Sequence, residues 1–99
     1  MIIRSRKYGH ESSAYCIYWL NDKAHMFHFG SCQGLVAVTE NDLEITDPAI
    51  GHDFEFVTFA NGATGIAHKY LIANNLLDRL IEHEKDAFEI FAKLLGKQP

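Results

Sequence analysis

Apolar and polar positions alternate through much of the first sixty residues, and this alternation predicts strands joined by turns. Residues 13–20 carry apolar side chains on both faces, which is typical of a central strand that is covered on two sides. Strand geometry should place Tyr15, Ile17 and Trp19 on one face and Cys16 on the other. We therefore expect Trp19 to pack in the core.

Two clusters of turn-forming residues predict two hairpins. Residues 21–23 (Asn-Asp-Lys) tolerate the left-handed conformation and should join strand 13–20 to a strand at 24–30. Residues 40–42 (Glu-Asn-Asp) should join strands at 35–39 and 43–46 in the same way. The sequence therefore predicts that each of these strands pairs with its neighbour along the chain.

The last predicted strand, residues 53–60, changes its apolar phase from Phe54 and Phe56 to Val57 and Phe59. Such a shift indicates either a β-bulge or burial on both faces. Earlier in the chain, Asp47-Pro48 should end the strand at 43–46, because proline cannot donate to a ladder.

After residues 61–64 the apolar period becomes helical, on a stripe that runs from Ile66 to Leu95. One helix over residues 65–95 would be roughly 45 Å long, too long for a domain of this size. We therefore expect a break near residues 84–86, where the apolar stripe lapses, and an end at Gly96.

These elements predict one α+β domain over residues 1–99. Its sheet should be an antiparallel meander of about five or six strands. A C-terminal helical segment, divided into two helices, should follow and pack on one face of that sheet.

Acidic residues are concentrated in the middle of the chain. Residues 24–68 contain no lysine or arginine and carry a charge of −6, whereas the whole chain carries −4. The six carboxylates belong to the predicted second hairpin and the last strand: Glu40, Asp42, Glu44, Asp47, Asp53 and Glu55. We expect them to form one acidic surface, although cations from other parts of the fold could still approach it.

An acidic surface favours association with a basic protein, because complementary charge speeds encounter and orients the complex. The sequence therefore predicts a binding protein of the inhibitor or immunity type that covers a basic surface, for example on a nuclease or another nucleic-acid-binding protein, with exposed aromatic side chains as anchors. We expect no direct binding to nucleic acid, since phosphate contacts require cations. The free protein should be a monomer or a homodimer, and no cofactor is expected.

Two alternatives stay open: a small enzyme or metal-binding domain built from scattered His, Asp and Cys side chains, and a homo-oligomeric structural domain. His25, His28 and Cys32 resemble zinc ligands, but residues three apart on a strand face opposite sides. Neither a calcium loop nor a nucleophile motif is present. Residues 61–65 resemble a phosphate-binding turn before a helix only weakly.

Cysteine use and hydropathy bear on the compartment. Cys16 and Cys32 are interpreted as reduced thiols, because secreted domains of this size usually carry more bridges. No apolar run reaches the roughly 20 residues that a membrane-spanning helix needs, and none resembles a signal peptide. The sequence therefore predicts a cytoplasmic protein that does not enter a membrane.

Overall fold

The computed structural model describes residues 1–29, 34–97 and 99. Within them the chain forms seven strands followed by three helices. The strands are β1 Ile2–Ser5, β2 Glu11–Leu20, β3 Lys23–Phe29, β4 Leu35–Thr39, β5 Leu43–Asp47, β6 Phe54–Thr58 and β7 Thr64–His68. The helices are α1 Lys69–Ala73, α2 Leu76–Ile81 and α3 Lys85–Leu95. The predicted α+β class, with an antiparallel sheet followed by helices, is confirmed.

The long strand β2 organises the sheet. All pairings are antiparallel, and the main path runs in the order β4–β3–β2–β1–β5. β2 pairs with β1 through residues 11–13 and with β7 through residues 16–19, and β6 continues from β7. The N-terminal part of β2 therefore carries β1 and β5, and its C-terminal part carries β7 and β6.

A bulge separates these two parts of β2. The register with β3 shifts between Ala14 and Cys16, which leaves Tyr15 as the extra residue. Tyr15 then packs in the same core as Cys16, whereas Ala14 packs with Ile17. The prediction that Tyr15 and Ile17 share a face is wrong, because a bulge puts two successive side chains on one side of the strand.

The first predicted hairpin is confirmed. β2 and β3 pair up to Leu20 and Lys23, with a two-residue loop between them. Asn21 and Asp22 have φ angles of 53° and 63°. Two successive residues with positive φ form the tight turn whose twist matches that of a hairpin.

The second predicted hairpin is wrong. β4 pairs with β3 and β5 pairs with β1, and residues 40–42 form a short 3₁₀ helix that carries the chain from one part of the sheet to the other. The first residue of each strand also packs in a different core. Leu35 lies in the core beneath the helices, whereas Leu43 packs with Ile3 and Met26. Each strand is held by its own partner strand rather than by the turn between them.

Residues 64–68 form strand β7 rather than the start of a helix. The β6–β7 register is regular from Phe54–His68 to Thr58–Thr64, so β6 has no bulge. Nor is β6 buried on both faces, because Phe56 is 93% exposed. The apolar residues shift from even to odd positions because they occupy both faces of the strand. Val57 and Phe59 pack toward the helices, whereas Phe56 faces solvent.

The helical segment breaks twice. The predicted break near residues 84–86 is confirmed, since α3 begins at Lys85. A further break follows α1, where Asn75 adopts a φ of 53°. Gly96 ends α3 with a φ of 75°, as predicted for a left-handed terminator.

Two cores lie on opposite sides of the main sheet. The helices pack on one side, in a core that contains Cys16, Leu71, Leu80 and Phe91. The second core lies on the other side, where side chains of β1 and β5 pack against side chains of β2 and β3. It contains Ile3, Ala14, Ile17, Ala24, Met26 and Leu43. The prediction that the helices pack on one face of the sheet is confirmed.

Candidate functional site

The six carboxylates of the acidic segment are distributed over two parts of the sheet. Glu40 and Asp42 lie in the 3₁₀ helix, and Glu44 and Asp47 lie on β5. Asp53 directly precedes β6, and Glu55 lies within it. Because β5 pairs with β1 and β6 pairs with β7, no ladder connects the two groups.

Glu44 is paired with cations from the N-terminal segment. Its carboxylate accepts a hydrogen bond of 2.7 Å from Arg4 and a longer one of 3.5 Å from Arg6. The hydrogen bond and charge of Arg4 hold the pKa of Glu44 below its ordinary value, and Glu44 raises the pKa of Arg4. Glu44 is therefore already engaged within the chain.

Asp53 is engaged in the same way by Lys69, at the start of α1. The Lys69 Nζ lies 3.0 Å from the Asp53 carboxylate, and its hydrogen bond lowers the pKa of that group. Among the described residues the other four carboxylates form no ion pair: Glu40, Asp42, Asp47 and Glu55. These four are the members of the acidic set that remain available to an external cation.

β6 presents an open edge. Odd-numbered residues make the backbone hydrogen bonds on the β7 side. The backbone carbonyl of Asp53 accepts from the Lys69 N–H, and the backbone N–H of Phe59 donates to the Ala63 carbonyl. Residues of an antiparallel strand alternate in the side to which their backbone groups point. The N–H and C=O groups of Phe54, Phe56 and Thr58 therefore point away from β7, where no strand of the described chain pairs with them.

An aromatic surface accompanies this edge, formed by Trp19, Ile66 and Phe56. Phe56 lies opposite Ile66, and Ile66 lies opposite Ile17. Trp19 follows on the same face of β2 and is 51% exposed. The prediction that Trp19 is buried is wrong, because β1 and β5 cover the face around Ile17 but leave the far end of β2 uncovered.

The sequence offered only an indirect signal for this surface. The apolar alternation of β6 is visible in the sequence, but the helical stripe predicts a helix from residue 65, so it does not reveal β7 or its pairing. With β7 absent, neither Ile66 nor Phe56 could be assigned to a face.

A cleft lies on the second-core side of the molecule, with a volume of about 980 Å³. It is lined by the turn after β1, the start of β2 and parts of β3 and β4. In its wall the Ser12 Oγ and the His28 Nδ1 are 2.8 Å apart. Burial lowers the pKa of His28, which favours a neutral ring there. This contact could let the imidazole act as a base toward the hydroxyl, but acyl transfer also needs donors for an oxyanion.

Two of the three candidate zinc ligands, His25 and His28, do not converge. The His25 ring stacks on Tyr18 at 4.9 Å between centroids, whereas His28 contacts Ser12 from the other side of β3. Cys32 lies outside the described residues. Within the described part of the chain, no group of three or more His, Cys, Asp or Glu side chains could hold a metal ion.

Three further sequence features can be placed. Cys16 is a free, fully buried thiol whose pKa is raised by burial to about 12, so it behaves as a small apolar side chain. Residues 61–65 turn into β7 instead of a helix, so they provide no helix N-terminus for a phosphate. No helix in the described ranges has the length and apolar character needed to cross a membrane.

Comparison with known proteins identifies no relative. No protein-family model, no curated protein and no solved structure matches the chain.

Proposed function

We propose that this chain is a small protein-binding module of the inhibitor or immunity type, which covers a basic surface of another protein through the open edge of β6. The observation that carries the proposal is Phe56, a large apolar side chain that is 93% exposed in a regular strand. Burying such a side chain contributes about 1.5–3 kcal/mol, which makes it a natural anchor for a partner.

The backbone of β6 supports the same interpretation. The outward-pointing groups of Phe54, Phe56 and Thr58 can form main-chain hydrogen bonds with an extended segment of a partner. Strand addition of this kind gives affinity through the backbone and specificity through alternate side chains. Proteins often protect edge strands with lysine, proline or a bulge, and β6 contains none of these, although it carries one charged residue, Glu55.

Charge favours a basic partner. β6 carries Glu55 and no cation, and the whole chain has a net charge of −4. Asp47 and Glu40 add carboxylates that no internal cation pairs with among the described residues. Such charges raise the association rate with a cationic surface and do so most at low salt.

Affinity capture from the native organism tests the proposal, with the wild-type chain and two variants as bait. Phe56→Ser should lose the captured basic protein, because it removes the anchor. Ile90→Ser, a matched change at an exposed position on α3, should retain it. Equal capture by both variants would contradict the assigned surface.

Charge and self-association provide the second part of the test. With the captured protein purified, Glu55→Lys should slow association at low salt, whereas Glu89→Lys on α3 should change it much less. An association rate that does not respond to salt would count against the proposal. A purified chain that forms a stable dimer, which Phe56→Ser converts to a monomer, would show that the edge serves self-association instead.

A further inference from the structure

The cleft on the second-core side is an opening between strands that belong to different ladders. Ile3 and Leu43 line it from β1 and β5, and Val36 and Val38 line it from β4. Its volume of about 980 Å³ is in the upper part of the range of small-molecule sites, roughly 300–1,000 Å³. An apolar ligand placed there would contact side chains that continue directly into the second core.

The cleft wall also contains polar side chains. Ser12 and His28 satisfy each other through their contact of 2.8 Å. The two acidic side chains of the lining also have partners: Glu11 accepts from the Thr46 hydroxyl, and Asp42 accepts from the Thr39 hydroxyl. Neutral groups such as Ser12 and His28 that are already hydrogen-bonded lose little when water is displaced from beside them. Glu11 and Asp42 keep their negative charge after accepting a hydrogen bond, so an anionic head must lie on the side of the rim that carries the cations.

Two cations at the rim of the cleft could pair with an anionic group of a ligand. Lys7 and Arg6 line the cleft at the turn that follows β1. Arg6 makes only a long contact of 3.5 Å with Glu44. The Lys7 Nζ lies 5.3 Å from the centroid of the Tyr8 ring and has no ion pair with a carboxylate of the described residues. Lys7 is therefore placed to meet an anion from outside the chain.

We propose that this cleft binds an amphipathic carboxylate, a molecule with one anionic head and an unbranched apolar chain. The apolar chain lies between the β1–β5 wall and the β4 wall. The head lies at the rim, where Lys7 and Arg6 contact it. Phe56 does not line the cleft, so the site is separate from the β6 edge.

Isothermal titration calorimetry with decanoate, below its micelle concentration, tests this inference. The probe of opposite charge, decyltrimethylammonium, has the same chain length and serves as the comparison. The wild-type protein should bind one decanoate and should bind it at least about twofold to fivefold more tightly than the cation, as expected for one exposed charge contact. Equal affinities for the two probes would overturn the proposed head site.

Two pairs of variants locate the binding. Lys7→Glu should remove the preference for decanoate, while Lys23→Glu, an exposed cation outside the cleft, should keep it. Val36→Trp should fill the cleft and abolish binding of decanoate, while Ile45→Trp, at an exposed position outside the lining, should preserve it. Binding that survives Val36→Trp at the wild-type affinity would overturn the proposed cleft.

NMR provides a readout that does not depend on any variant. Decanoate should shift the methyl resonances of Ile3, Val38 and Leu43, and it should leave those of Ile90 and Leu94 on α3 unchanged. Shifts centred on the α3 methyl groups would place the ligand elsewhere and contradict the inference. Phe56→Ser should bind decanoate normally, which separates this test from that of the partner-binding edge.

Discussion

The guanidinium of Arg4 donates a hydrogen bond of 2.7 Å to Glu44, which lies directly opposite it in the β1–β5 ladder. The two residues are 40 positions apart in the chain. Their contact brings a cation of the N-terminal segment onto the stretch that has no lysine or arginine of its own. Arg4 and Glu44 are therefore far apart in the chain but adjacent in the folded protein.

This pair should make stability depend on pH in the acid range. The pKa of Glu44 is lowered in the folded state, so its contribution is present above its ordinary value of 4.5 and is lost as the pH falls through the folded pKa. Urea unfolding of the wild type should show stability that declines as the pH falls below about 4.5, and Glu44→Gln should decline less steeply. Glu89→Gln, which leaves the pair intact, serves as the control. Identical slopes for wild type and Glu44→Gln would contradict a folded-state pair.

His68 should control a second pH window, nearer neutrality. It is 6% exposed, contacts the rings of Tyr15 and Phe91, and accepts a hydrogen bond from the Tyr70 N–H at its Nδ1. Burial lowers its pKa, against a smaller opposing effect of Asp53. A base with a lowered folded pKa takes up its proton more readily when unfolded, so stability should fall as the pH drops below the ordinary value of 6.5.

The matched variant for this window is His68→Asn. Asparagine keeps an N-cap acceptor for α1 but does not titrate. We expect it to be less stable than the wild type at pH 7 but to lose less stability between pH 7 and pH 5, as measured by urea unfolding. His28→Asn distinguishes the contribution of the other histidine with a lowered pKa. A slope unchanged by His68→Asn would show that its protonation is not coupled to folding.

Gly65 should not tolerate a side chain. A Cβ at this position would lie 2.7 Å from the Cα of Tyr18 and would also clash with the Ile17 carbonyl, because β7 crosses close to β2 there. Both clashing groups are backbone, so a rotamer change cannot relieve them. Gly65→Ala should therefore cost about 1–3 kcal/mol of unfolding free energy, and separation of β7 from β2 should also disturb Ile66. Thr64→Ala next to it, at an exposed position, should cost less.

Truncation of Phe91 should lower the unfolding free energy much more than truncation of Phe56. Phe91 is 0% exposed and contacts Tyr15 and Phe29, so Phe91→Ala should cost about 3–5 kcal/mol by urea denaturation. Phe56→Ala should change the unfolding free energy by no more than about 0.5 kcal/mol, because the ring buries almost nothing. A large cost for Phe56→Ala would mean that the ring is packed in the free protein, and it would remove the basis for its role as an anchor.

Local patterns predicted those parts of the fold that depend on nearby residues. The β2–β3 hairpin follows from Asn21 and Asp22, which can adopt positive φ whatever surrounds them. The break before α3 and its end at Gly96 follow equally from short-range signals. The amphipathic pattern of the C-terminal segment was sufficient to predict helices on one face of the sheet.

Local patterns failed where a long-range partner outweighed the local preference. Residues 65–68 fit a helical stripe but pair with β2 and β6 instead, since Ala67 is buried in the core beneath the helices and Gly65 permits β7 to lie close to β2. In the same way, the turn at residues 40–42 does not form a hairpin, because β4 and β5 each find another partner.

The sequence by itself determined the α+β class, the tight turn and helix signals, and the confinement of negative charge to residues 24–68. Only the tertiary structure decided which of those charges meet a cation and which aromatic side chains stay in solvent. The physical reason is that ion pairs and burial depend on distances between residues far apart in the chain. Strand order sets those distances: β1 brings Arg4 to Glu44, and β7 places Phe56 at an open edge.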